Sequence, residues 1–264
     1  MDPRTHRILF TVDVEEFDTA LDFDYSLSFP EQVAVSTRGL QLLAERMEDV
    51  QARATLFTTA VYAQHESALI RSLAGRHEIA SHGYFHLHNK PGDVLASRQA
   101  LEQITGTEVV GFRRAQMGAV NNDELREAGF LYDSSLHPTY LPGRYNHWDK
   151  PRTPFERDGI IQIPASVTPR LRIPLFWLSL KNFPFAIYKQ LCRQTLLADG
   201  HLNIYVHPWE FTDLSSYDRI PLYIRRHSNE RLLDRVTDLL RYLRQYGDFS
   251  TMREFAETFQ PHHH

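Results

Sequence analysis

His82 and His86 stand four residues apart in Ser81-His82-Gly83-Tyr84-Phe85-His86. On a helical turn such a pair shares one side, so both ring nitrogens can converge on a single ion. Near the start, Thr11-Val12-Asp13-Val14-Glu15 closes an apolar run. Strand alternation puts Asp13 and Glu15 on one face and Val14 on the other. Two carboxylates on one face repel unless a cation or a shared proton relieves them. One can ligate a metal while the other acts as general base toward water. A carboxylate with two imidazoles leaves a coordination position open, the pattern of a catalytic centre. The competing readings are a chance pair among 14 histidines and a solvated acidic loop running on through Glu16, Asp18, Asp22 and Asp24.

Three further residues could join such a centre. His207, in Tyr205-Val206-His207-Pro208-Trp209-Glu210, leaves an apolar strand and is fixed by the following proline. That setting suits a general acid over a substrate pocket, or equally a satisfied structural histidine. Arg113 and Asp133 each follow a short apolar run. They could orient the base and the acid, or simply pair with each other. His88 has the wrong spacing to share a face with His82.

The elements that must carry these residues alternate. Residues 7–13, 54–59, 78–81, 109–113, 131–133, 160–163 and 202–207 read as strands. Residues 31–50, 65–74, 92–105, 121–128 and 230–246 read as helices, with Asn121 or Asn122 as a cap and Gly129 as a stop. Ser250 or Thr251 with Glu254 forms a capping box for a last helix. Repeated βα alternation predicts an α/β fold with a parallel sheet or barrel. Every candidate residue falls at or just beyond the C-terminal end of a strand, where barrel folds carry their chemistry. A single barrel-like domain over residues 1–260 is expected, with residues 261–264 a tag remnant whose histidines belong to no site.

A hydrophobic share of 42% suffices for a substantial core, and a net charge of −4 without any basic stripe argues against nucleic acid as a partner. Cys192 is the single cysteine, which excludes an internal disulfide and a cysteine-based metal site. Residues 1–7 are polar and lack a signal-peptide core, and residues 173–188 are too short and too interrupted to span a bilayer. A cytoplasmic protein, placed if anywhere at the inner face of the membrane, is expected.

The order and spacing of these motifs resemble the polysaccharide deacetylase family, the NodB-homology carbohydrate esterases. The resemblance runs from Ile8 to about Phe211. Thr11-Val12-Asp13-Val14-Glu15 is similar to the family's opening strand end, and His77-Glu78-Ile79-Ala80-Ser81-His82 through His86 to its His-x-x-x-His motif. Gly111-Phe112-Arg113, Tyr132-Asp133-Ser134-Ser135 and the strand ending in His207 follow in family order. The Asp-x-Glu start, Asp-Ser-Ser and His-Pro-Trp-Glu resemble a bacterial subset tied to exopolysaccharide and surface-glycan assembly.

The resemblance implies a distorted seven-stranded, TIM-like (β/α) barrel and a hydrolase acting on a carbon–nitrogen bond. The reaction would be deacetylation of an N-acetylated sugar in an O-antigen, capsule or exopolysaccharide precursor, carried on a lipid or a nucleotide. Asp13 would be the base, positioned by Arg113; Glu15, His82 and His86 would hold Zn²⁺, Co²⁺ or another divalent ion; His207 would be the acid, oriented by Asp133. Two departures stand out. Val14 replaces the usual metal-binding Asp, which shifts the ligand to Glu15 and leaves the exchanged assignment of Asp13 and Glu15 open. The third motif reads Arg113-Arg114-Ala115-Gln116 without its proline, which leaves Arg114 as a rival to Arg113. A small-amide hydrolase of the same fold, or a silent glycan-binding homologue, are the alternatives.

Overall fold

A computed structural model describes residues 6–87 and 90–260. The expected tag remnant at residues 261–264, and His88, lie outside the described residues. The chain opens with β1 (Arg7–Val14), α1 (Phe29–Asp49), β2 (Ala54–Thr58), α2 (Ala60–His65), α3 (Ser67–Ala74), β3 (Glu78–Ser81), α4 (Asp93–Thr105) and β4 (Gly111–Phe112). The middle holds α5 (Asn122–Glu127), β5 (Tyr132–Asp133), β6 (Tyr140–Leu141), β7 (Tyr145–Asn146), β8 (Phe155–Arg157) and β9 (Ile160–Gln162). It ends with α6 (Trp177–Asn182), α7 (Phe185–Asp199), β10 (His201–Val206), α8 (Leu222–Arg225), α9 (Glu230–Leu243), β11 (Asp248–Phe249) and α10 (Met252–Thr258).

The main sheet runs β10-β1-β2-β3-β4-β5-β9-β8, with β11 also paired to β1. All these pairs are parallel except β8 with β9. The seven parallel strands from β10 to β9 curl into a half-barrel, the α/β architecture expected. Among the described residues no ladder joins β9 back to β10. Instead the segment after β9 returns to β10, where the Ser166 N–H donates to the Asn203 carbonyl at 2.8 Å.

The alternation of β1 divides the core. Ile8, Phe10, Val12 and Val14 pack outward with α1, α2, α4, α7 and α9. Leu9 points inward, into a small plug of Phe57, Ala80, Val110, Tyr132, Ile163, Met252 and Ala256. Met252 and Ala256 come from α10, which therefore stops the N-terminal end of the half-barrel. The next inward positions of β1 are Thr11 and Asp13, above the plug and at the opposite end. Thus β1 places its polar residues where the interior is no longer filled.

Element types follow the sequence closely, and boundaries shift. Helix 31–50 begins earlier, because Ser28 and Glu31 form a capping box, with Ser28 N–H to Glu31 Oε2 at 2.7 Å. Asn121 caps α5 and Thr251 caps α10, as expected. The expected helix 65–74 is α3 from Ser67, and His65 instead ends a separate helix, α2. The β6–β7 hairpin, β8 and β11 carry too short a pattern to announce themselves.

Candidate active site

Asp13 sits at the mouth of the half-barrel on a fully buried guanidinium. Arg113 Nη1 donates to Asp13 Oδ1 at 2.6 Å and to Thr11 Oγ1 at 2.9 Å. Its Nη2 donates to Ser134 Oγ at 2.9 Å and its Nε to the Ser134 carbonyl at 3.2 Å. The guanidinium also lies 4.1 Å from the Phe57 ring centre, stacked on the apolar plug. With Oδ1 engaged, Oδ2 of Asp13 faces His207 Nε2 at 4.0 Å. The cation on Asp13 is Arg113; Arg114 instead leads into a turn at Ala115–Met117, where Gln116 and Met117 take positive φ of 57° and 53°.

The histidine pair does not lie on a helix. Residues 82–87 form an irregular loop after β3, opened by Gly83 at φ 89°. The loop is tied to α2, whose Ala60 and Val61 N–H groups donate to the Gly83 and Tyr84 carbonyls at 3.1 and 3.2 Å. Convergence is achieved by outer hydrogen bonds. His82 Nδ1 is 2.8 Å from the Arg113 carbonyl, which can only accept, so Nδ1 carries a proton and Nε2 is the nitrogen left to serve as a ligand. His86 Nδ1 meets Asp18 Oδ2 at 2.5 Å in the same manner. Both Nε2 atoms then face Glu15 Oε2, at 3.2 and 2.8 Å.

That oxygen is buried and has no hydrogen-bond partner. Glu15, His82 and His86 thus offer donor atoms that all lie within 4.8 Å of one another, forming a possible metal site. A carboxylate oxygen and imidazole lone pairs are the ligand chemistry of a divalent ion such as zinc. Burial works against charge on Glu15, yet the imidazoles of His86 and His207 outweigh it and hold its carboxyl well below the usual range. Burial likewise opposes charge on His86, but Glu15 and Asp18 raise it well above an ordinary imidazole. A bound cation would take the place of the proton that Glu15 and Asp18 draw onto His86. The residues present fit a metal.

His207 closes the other side. Its Nδ1 and its backbone N–H both meet Glu210 Oε1, at 3.0 and 2.8 Å. Trp209 stacks on its ring at 5.2 Å, and Trp177 stands edge-on at 5.2 Å. Burial would lower the His207 imidazole, but Glu15 and Glu210 prevail and raise it. A cavity of about 300 Å³ is bounded by Asp13, Glu15, His82, His86 and His207, with aromatic walls from Phe176, Trp177, Tyr205 and Trp209. Residues 175–188 divide between cavity and core. Phe176 and Trp177 line the cavity, while Leu180 and Tyr188 join the core.

One expected placement fails. Asp133 does not orient His207; Glu210 stands there instead. Asp133 Oδ1 accepts from the Ser135 N–H at 3.1 Å and from the Ser135 hydroxyl, which turns it away. It opens onto a neighbouring cavity of about 670 Å³ that shares Gln116, Met117, Arg144 and Tyr145 with the first. Burial pushes its carboxyl up to about 6. Nor does Asp133 pair with Arg113, whose donors are already spoken for. Reading the sequence also missed Asp18, hidden in an acidic run, and Glu210, although Glu210 lies in the quoted His-Pro-Trp-Glu. A glutamate three residues past a histidine and a proline is the signature of a tight turn whose side chain reaches back.

Residues 12–131 match the model of the polysaccharide deacetylase family. That stretch holds Asp13, Glu15, both histidines and Arg113. Structural neighbours extend the likeness over the rest of the fold. A protein assigned as a polysaccharide deacetylase from Mycobacterium smegmatis aligns with TM-score 0.65 and 20% identity, over 100% of this chain and 94% of that one. The Puue allantoinase aligns with TM-score 0.66 and 17% identity, over 97% and 90%. A protein assigned as a polysaccharide deacetylase from Pseudomonas aeruginosa PAO1 gives 0.66 and 17%, over 97% and 91%. No curated protein matches the sequence. The family model covers less than half of the chain, and these neighbours, at 17–20% identity, show a shared fold. Among the described residues no helix is long and apolar enough to cross a membrane.

Proposed function

We propose that this protein is a metal-dependent N-deacetylase acting on an N-acetylated sugar of a surface-polysaccharide precursor, presented on a lipid or nucleotide carrier in the cytoplasm. One observation carries the reading. A buried three-donor cluster, a carboxylate held by a buried arginine, and a histidine 4.0 Å from that carboxylate share one cavity. Glu15, His82 and His86 would hold the ion, with zinc the best fit to the donor set and Co²⁺ a functional substitute. When bound, the ion supplies Lewis-acid polarisation of the acetyl carbonyl.

The chain's own residues do the rest. Asp13 Oδ2, free of Arg113, accepts a proton from water as its oxygen bonds to the acetyl carbon. The carbon–nitrogen bond then breaks, and His207 Nε2 gives its proton to the departing sugar nitrogen. Acetate and a free amine result. Arg113 holds Asp13 in place, and Glu210 holds the imidazole by Nδ1 so that Nε2 points into the cavity. Trp177, Tyr205 and Trp209 present ring faces suited to the apolar faces of a pyranose and exclude water from the breaking bond.

The test is acetate release by the zinc- or cobalt-loaded protein from N-acetylated sugars, free and nucleotide-linked, and from lipid-linked glycans. Activity lost with chelator and restored with metal is expected. A metal-loaded protein inert on every such substrate overturns the reading. The allantoinase neighbour motivates a second reading, a small amide or ureide as substrate. Hydrolysis of such compounds by protein free of metal and indifferent to chelator favours that one. A silent binder has little use for a base and an acid poised 4.0 Å apart.

A further inference from the structure

The ammonium of Lys181 is buried, far from solvent, and no part of the chemistry above uses it. Its Nζ lies 3.0 Å from Glu210 Oε2, 2.7 Å from the Ile224 carbonyl and 3.3 Å from Ser228 Oγ. The side chains of Lys181 and Glu210 have no exposed surface. The other oxygen of Glu210 is the one that takes the backbone N–H and Nδ1 of His207. Ammonium, carboxylate and imidazole therefore form an unbroken buried chain. Trp177 and Lys181 stand four apart on α6, on one side of the helix. Its first turn lines the cavity wall and its second grips the far end of the His207 support.

We propose that Lys181 is a positioning residue: it fixes the Glu210 carboxylate, and through it the Nδ1–H of His207, so that Nε2 is presented to the cavity as the proton donor. The inference rests on the acid role given to His207 above. A buried ion pair by itself gains little stability, since two apolar side chains of similar size often serve as well. What an apolar pair cannot do is keep Glu210 ionised. Burial would raise the Glu210 carboxyl, and it is chiefly the Lys181 ammonium, with His207, that holds it below the usual range. Lys181 also donates to α8, whose Tyr223 and Ile224 border the cavity, so one ammonium ties the rim to the acid.

The experiment compares wild-type, Lys181→Met and the double variant Lys181→Met/Glu210→Gln, all zinc-loaded. The double variant replaces the buried pair by neutral side chains and keeps the test valid if the single one does not fold. For acetate release, both variants are expected to lose about 10²-fold in kcat, with KM and bound zinc near wild-type. A double variant with wild-type kcat overturns the proposal, because Lys181 then only neutralises a carboxylate. A second readout needs no substrate. In ¹⁵N-labelled protein the His207 Nδ1–H resonance is expected to move or vanish by solvent exchange in Lys181→Met, or in the double variant where the single one does not fold. An unmoved resonance overturns the link, whereas wild-type protein without deacetylase activity sinks only the functional reading.

Discussion

An imidazole ligates through one nitrogen, and its other nitrogen decides which. His82 is set by a backbone carbonyl, His86 by the Asp18 carboxylate, 68 residues away in sequence. Asp18→Asn keeps the shape but loses the charge that makes His86 a strong ligand. Zinc affinity is expected to fall 10- to 100-fold, read by competition with a chromogenic chelator; unchanged affinity refutes the support role. The exchanged roles of Asp13 and Glu15 separate in one comparison. Glu15→Gln is expected to lose the metal, because Glu15 faces both Nε2 atoms. Asp13→Asn should keep it and lose about 10²- to 10⁴-fold in kcat. Metal loss from Asp13→Asn with retention in Glu15→Gln would reverse the assignment. Asp13, Glu15 and His82 were legible because each lies at the end of a patterned strand, and His86 through its spacing from His82. Asp18 was not, since nothing in an acidic run marks the one carboxylate that turns inward.

Elements set these distances, and one contact between them is unusually close. A Cβ on Gly39 of α1 would come 1.9 Å from the Pro208 carbonyl, inside any allowed contact. Glycine there lets α1 rest on the turn that begins at His207. Gly39→Ala improves helix propensity, yet it must push that turn away. A net loss of about 1–3 kcal/mol is expected in urea unfolding, with kcat reduced because His207 moves. A stabilised variant with full activity would mean the turn yields freely. The strands were legible because parallel strands buried on both faces read as apolar runs. The histidine pair was read on a helix because four-residue spacing suits one. The structure achieves the same convergence with a glycine-opened loop, and spacing alone does not distinguish the two. Asp133 misled for a related reason: its place at a strand end was right, but Ser135, two residues on, captures it.

At the scale of the whole molecule, the half-barrel buries titratable groups that must affect its stability. Burial, with Arg76 and Arg53 adding to it, lowers His77 to about 4 from 6.5. His77 Nδ1 accepts the Ala54 N–H at 3.2 Å and so is bound as the neutral ring. Burial, then Arg113, lowers His137 to about 3. Asp133 is raised by burial to about 6 from 3.8. Between pH 6 and 4 the unfolded chain binds two protons more than the native state at the histidines and one fewer at Asp133. The net excess is one proton on the unfolded side, so these three groups lower stability as pH falls, by about 1.4 kcal/mol per pH unit. Other groups cancel when variants are compared with wild type. Asp133→Asn removes the opposing group, so the acid loss should steepen by about 1.4 kcal/mol per unit in this window. His77→Asn, whose side-chain carbonyl can still accept from Ala54, should flatten it by a similar amount. Urea unfolding at half-unit intervals from pH 6.5 to 4 reads both slopes. If Asp133→Asn flattens the curve instead, the carboxyl is ionised in the folded protein, and its burial costs far less than its surroundings imply.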